Sequence, residues 1–237
     1  MEKGYGKVLS ILLVIAIILI IGILGFFAFR IFRSGTTNKN GKDIVAEFDI
    51  NTPTIPSKNN NIDENNEENN EGISLDDIIK TFGENTNNSS NQQSGKKKAT
   101  YYKGYKVIGT ISIPSINIEY PILNDYSSET LKIAIVAVYP NDAEDQVNKP
   151  GNLVLWGHNY KDDTFFSKIG ELKVGAKIYI KDTDGVKLTY QVYNVYETTD
   201  SDSDYTRRDT EGKVELSLST CTAQSGRRTI VWARAVE

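Results

Sequence analysis

Apolar and polar positions divide this chain into three parts. Val8 to Phe29 is a run of 22 residues without a charge. At about 1.5 Å per residue such a helix spans roughly 33 Å, enough for a hydrocarbon core of about 30 Å. The run is longer than a signal-peptide core, and no small-x-small cleavage site lies near its end. Residues 1–33 are therefore expected to be a transmembrane anchor. Lys3 and Lys7 precede the run, and Arg30, Arg33, Lys39 and Lys42 follow it. That distribution does not favour an N-terminus-inside orientation.

Residues 34–100 are polar and low in complexity. Asn59 to Glu71 is almost wholly Asn, Asp and Glu, and Asn85 to Gly95 is Asn, Ser, Thr, Gln and Gly. Such stretches bury too little apolar area to offset chain entropy and predict a disordered linker. Within it, Leu75, Ile78, Ile79 and Phe82 share one helical face, Ser74 suits an N-cap and Gly83 a C-cap. A short helix over 74–82 is the expectation there, marginal unless it docks on the domain.

From 101 to 237 the pattern changes to short strands. Val107–Ile113 alternates and is stopped by Pro114; Ile116–Tyr120 is stopped by Pro121. Ser127–Lys132 reads as one helical turn before the apolar run Ile133–Tyr139, and Asn141–Pro150 as a polar loop. Asn152–Trp156 is a strand of the buried type, with Gly157 and His158 at its end, and Thr164–Leu172 a short helix. Ala176–Lys181, Leu188–Glu197, Val214–Thr220 and Thr229–Ala235 complete the series. About eight short strands with brief helices and turn signals predict a mainly β, eight-stranded barrel that is closed or nearly closed.

Composition narrows the chemistry. Lys plus Arg total 27 and Asp plus Glu 31, a net charge of −4. A mildly acidic chain has no general attraction to nucleic acid, and none is expected as a partner. One Cys and one His exclude an intramolecular disulfide and a Cys/His zinc cluster. Yet both stand at strand ends: Cys221 after Val214–Thr220, His158 after Leu153–Gly157. Strand ends are rigid supports that open to solvent. A Cys nucleophile needs a lowered pKa or a nearby base, and a His supplies either. Arg227 or Arg228, before the last strand, offers a fixed charge for a developing oxyanion. The bland alternatives are a buried structural Cys and a hydrogen-bonded structural His.

Gly151-Asn152-Leu153-Val154-Leu155-Trp156-Gly157-His158 resembles the Gly-Asn…Gly-His segment of sortases. Ser217-Leu218-Ser219-Thr220-Cys221 is similar to their Thr-Leu-x-Thr-Cys signature, with Ser for the first Thr. Sortases then carry an Arg at the start of the last strand with Ala five residues on; Arg228 and Ala233 fit, whereas Arg227 is one residue off. Ile108–Pro114 and Tyr120–Leu123 also resemble the family's opening strands, so the likeness runs from about Val107 to the end.

The resemblance implies an eight-stranded sortase barrel and a cysteine transpeptidase. Cys221 would attack the Thr carbonyl of an LPXTG-like sorting signal to form a thioacyl intermediate. An amine would resolve it, joining the surface protein to cell-wall precursor or another amine acceptor. His158 is the implied general acid and base, Arg228 the oxyanion and substrate contact, Thr220 a substrate contact. The catalytic domain is implied to be extracellular, on a single-pass anchor in the cell membrane. Neither metal nor organic cofactor is implied. A Ca²⁺ site built from Asp142, Glu144 and Asp145 with Asp200, Asp202 and Asp204 is the minor alternative to solvated loop charges.

The subclass stays open. His158-Asn159 is class B-like, while the short polar connection Thr198–Gly212 lacks the class B insertion. One N-terminal anchor and Thr164-Phe165-Phe166 are class D-like. The lack of Asp-Pro and an end directly after the last strand argue against the pilin-polymerising class. L,D-transpeptidases share the order His…Cys…Arg but place Ser-x-Gly before the Cys and Arg two residues after it, where this chain has Ser219-Thr220 and Ala223. Papain-like proteases have the reverse order. The non-enzymatic alternative is a membrane-tethered barrel that binds partners; it predicts a buried Cys221 far from His158.

Overall fold

The computed structural model describes residues 3–54 and 99–236. Helix α1 (Lys3–Asn51) has 49 residues and is about 74 Å long. Its first half carries the apolar run, whose side chains are exposed from Leu9 to Phe32. It does not stop where the linker was expected to begin, but continues through the polar stretch from Ser34. The reason is a helical stripe within that stretch: Gly41, Val45, Phe48 and Thr52 are all buried. Phe48 packs among Tyr102, Val107, Leu123 and Val136 on the barrel. A Cβ on Gly41 would lie 2.6 Å from the Tyr120 ring, so glycine permits the close approach of α1. Asp49 pairs with the buried Lys181 at 2.8 Å, and Tyr120 donates to Asn38. Tertiary burial overrides weak propensity here. The helix expected over 74–82 lies outside the described residues.

The strands are β1 (Tyr101–Tyr102), β2 (Tyr105–Ile113), β3 (Ile118–Leu123), β4 (Ile135–Tyr139), β5 (Gly151–Trp156), β6 (Lys177–Asp182), β7 (Lys187–Thr199), β8 (Val214–Cys221) and β9 (Arg227–Val236). Their order is β1-β2-β3-β4-β5-β8-β9-β7-β6, and pairing of β2 with β6 closes β2–β9 into an eight-stranded barrel. The interior is filled by alternating residues such as Ile111, Leu155, Ile180, Val192, Leu218 and Val231. A second apolar cluster lies outside β5, β8 and β9, where Val154, Tyr205 and Ile230 pack with Trp156 and Trp232. Burial on both faces explains why β5 reads as a continuous apolar run rather than an alternation.

Three local expectations differ. Pro121 does not end its strand, since β3 runs on to Leu123. At Pro121 the strand pairs with Thr110 of β2 and has no second strand beside it, because β4 joins only at Ile122. A missing N–H is tolerated at such an edge. Residues 164–172 form turns with one 3-10 turn, Ile169–Glu171, instead of a helix. Asp162 Oδ1 accepts from Thr164 N at 2.8 Å in an Asx turn, and Phe165 has φ +48, which an α-helix starting there would not allow. The helical turn expected over Ser127–Lys132, by contrast, forms as α2 (Ser128–Leu131), capped by the Ser127 side chain, which accepts from Thr130 N.

Candidate active site

Strands β5 and β8 are parallel neighbours, so their C-terminal ends meet at one end of the barrel. The register pairs Trp156 with Ser219, which brings His158 and Cys221, each two residues on, to the same level. Two bonds hold this threshold: Gly157 N donates to Ser219 O at 3.2 Å, and Thr220 Oγ1 donates to Gly157 O at 2.7 Å. Any larger residue at Gly157 would have to displace its neighbours, since a Cβ would meet the Ile135 side chain at 2.7 Å and the Phe166 ring at 2.8 Å. On the other side of β8, Cys221 is the direct partner of Arg228 in the antiparallel β8–β9 register. The only thiol, the only imidazole and one guanidinium thus come from the ends of three adjacent strands. Cys221 is exposed, not walled into the barrel.

The sortase-domain family model matches residues 111–236. The chain belongs to the sortase family.

A sortase A of Bacillus anthracis is 38% identical over 117 residues, covering 49% of this chain and 52% of the relative. This sortase therefore spans about half the length of that curated relative. Among solved structures, a sortase A from Corynebacterium diphtheriae is 27% identical, covers 56% of this chain and 62% of its own, with a TM-score of 0.49. A sortase C-1 from Actinomyces oris is 26% identical, covers 55% and 74%, with the same score.

Neighbouring side chains distinguish the candidate residues. The Arg228 guanidinium lies 4.3 Å from the centre of the Trp156 ring, which Tyr126 meets edge-on at 5.3 Å. Arg227 points elsewhere and bonds Glu197 at 3.2 Å. Thr220, expected as a substrate contact, is buried, and its hydroxyl hydrogen goes to Gly157 O. Asn159, noted in the sequence only as a subclass marker, donates from Nδ2 to Cys221 O at 2.9 Å. The His158 ring packs on Tyr160 at 4.9 Å, and Arg33 of α1 lies 4.2 Å from the Tyr160 ring centre. Burial depresses the His158 pKa below the ordinary imidazole value, and the charges of Lys132 and Arg33 add to this. The neutral ring is favoured at neutral pH. Lys132→Gln and Arg33→Gln should each raise that pKa. The single imidazole makes the readout unambiguous: its proton NMR titration should move to higher pH, and an unchanged midpoint in both variants would refute the assigned cause.

Sequence reasoning missed a buried clamp on the outer face of β8. Glu215 accepts from Tyr193 OH at 2.7 Å, from Arg208 Nη1 at 2.5 Å and from Arg234 Nε at 2.7 Å. Arg208 also donates to Ser217 Oγ at 3.2 Å and Asn152 Oδ1 at 3.0 Å. Asn152 Nδ2 in turn donates to Tyr205 O at 2.9 Å. Two residues of the family motifs that bear no reacting atom thereby fasten the β7–β8 connection. A charged residue at a strand position between buried neighbours was the available signal. Burial pushes the Glu215 carboxyl up, but the three hydrogen bonds outweigh it and hold its pKa below the usual range. Its stabilisation is accordingly present at neutral pH and fades as pH falls through the depressed value. Glu215→Ala leaves Arg208 uncompensated and should cost about 3–5 kcal/mol, read from denaturant unfolding. The double variant Arg208→Met/Glu215→Leu should recover much of that; equal loss in both would refute the buried-charge account.

Two of the six candidate Ca²⁺ carboxylates are otherwise engaged. Glu144 pairs with Lys106 at 2.5 Å, and Asp202 accepts from Thr198 and Asp204 N. Among the described residues no three His, Cys, Asp or Glu side chains converge on one point.

Proposed function

We propose that this sortase is a cysteine transpeptidase that cleaves an LPXTG-like sorting signal and passes the surface protein to an amine acceptor of the cell wall. The observation that carries the reading is the β5–β8–β9 register, which sets His158, exposed Cys221 and Arg228 side by side. His158 takes the thiol proton as the Cys221 sulfur attacks the Thr carbonyl, and the oxyanion forms against the Arg228 guanidinium. Trp156 holds that guanidinium by cation–π contact. His158 protonates the leaving amine, then takes a proton from the incoming one. Asn159 fixes the Cys221 backbone, and Thr220 serves as a strap between β8 and β5, a positioning role in place of substrate contact.

Helix α1 would cross the membrane with its exposed apolar half, because a helix of that composition needs a hydrocarbon solvent. The barrel, docked on the second half of the same helix, would lie on the extracellular side. The test uses the full chain in detergent micelles and a panel of fluorogenic LPXTG-like peptides. Cleavage accompanied by a covalent acyl adduct on Cys221, seen by intact mass, supports the reading. Failure to cleave any peptide, with no adduct, rejects it.

A further inference from the structure

A transpeptidase brings two substrates to one sulfur, and the second needs its own approach. A cavity of about 700 Å³ lies between the middle of α1 and the loop that follows β5. Its walls include Arg30 and Gly35 of α1, Asn159, Lys161 and Glu171 of the loop, and Ala223 after β8. Asn159 follows His158 and holds the Cys221 carbonyl; Ala223 is two residues beyond Cys221. His158 itself stands on this side of the nucleophile, since its ring packs on Tyr160 and Tyr160 lies under Arg33 of α1. Arg228, by contrast, packs on the Trp156–Tyr126 side.

Resting on the transpeptidase reading, we infer that this cavity is the binding site of the acceptor amine. The general base must touch the attacking nitrogen, so the amine has to arrive from the imidazole side, and this cavity is walled by Asn159, the residue next to His158 in the chain. Its lining also states what the acceptor carries. Asp163 is satisfied by Lys168 at 2.7 Å, and Asp162 by Thr164. Glu171, Lys161 and Arg30 have no ion-pair partner among the described residues. Two carboxylates without such a partner, Glu171 and the hydrogen-bonded Asp162, and two such cations, Lys161 and Arg30, face one space and suit a carrier bearing both an ammonium and an anionic group. In the step itself the deprotonated amine forms the C–N bond, its proton passes to His158, and the C–S bond breaks with its electron pair returning to Cys221.

The experiment separates the two substrates. The full chain in micelles is given a peptide that the wild type cleaves, with triglycine or Nα-acetyl-lysine as amine carriers and hydroxylamine as a small nucleophile that needs no site. Gly35→Leu fills the cavity: a Cβ there meets nothing within 4 Å, and Leu suits a helix better than Gly. Glu171→Gln and Lys161→Gln remove the charges. Gly35→Leu should raise the KM of the carrier amine about tenfold, and each charge variant about threefold to tenfold. Formation of the thioacyl enzyme and its capture by hydroxylamine should stay within about twofold in all three. An unchanged carrier KM, an equal fall with hydroxylamine, or a wild type that cleaves peptide yet saturates with neither carrier overturns the inference. A wild type that forms no thioacyl enzyme at all rejects the transpeptidase reading instead.

Discussion

Cys221→Ala should lower peptide cleavage by about 10⁴-fold or more and abolish the covalent adduct. The thiol is exposed at the end of β8, so its removal leaves no cavity and the circular dichroism spectrum and melting point should match the wild type. His158→Ala should fall by a comparable factor, since the imidazole acts in both half-reactions. The double variant should be hardly worse than either single one, because groups that act as a unit are not additive. Turnover that survives Cys221→Ala would remove the basis for the mechanism.

The second large effect is expected at Arg228. Loss of one oxyanion donor typically costs about 10²–10³ in rate, and Arg228→Ala should fall in that range in kcat/KM. Arg228→Lys should recover only a small part, since an ammonium neither stacks on Trp156 nor presents a planar fork. Arg227 is the internal control. It sits one residue away but bonds Glu197 on the exposed surface, so Arg227→Ala should cost about threefold or less. Comparable losses at both positions would mean that general positive charge, and not a placed guanidinium, is what the site uses.

Much of this was legible before any coordinates. The strand pattern from Val107 onward and the closed barrel follow from local alternation and turn residues, which depend on near neighbours. The resemblance to sortases, through the spacing from Arg228 to Ala233, chose Arg228 over Arg227, and the β8–β9 register pairs Cys221 with Arg228. The limits were equally physical. Residues 34–51 looked like linker because their composition is polar, and composition does not reveal that Gly41, Val45, Phe48 and Thr52 find a barrel to pack on. Pro121 looked like a strand end because the sequence does not show which edge lacks a partner.

By itself the amino-acid sequence determined the strands, the apolar helix, and the presence of one thiol and one imidazole at strand ends, because these depend on periodicity and residue type within a few positions. Only the tertiary structure decided that β5 and β8 lie side by side, that Trp156 holds Arg228, that Glu215 anchors the β7–β8 connection, and that α1 and Asn159 wall one cavity. Each of these joins residues far apart in the chain, and their pairing is set by closure of the barrel and burial of α1, which no local pattern records.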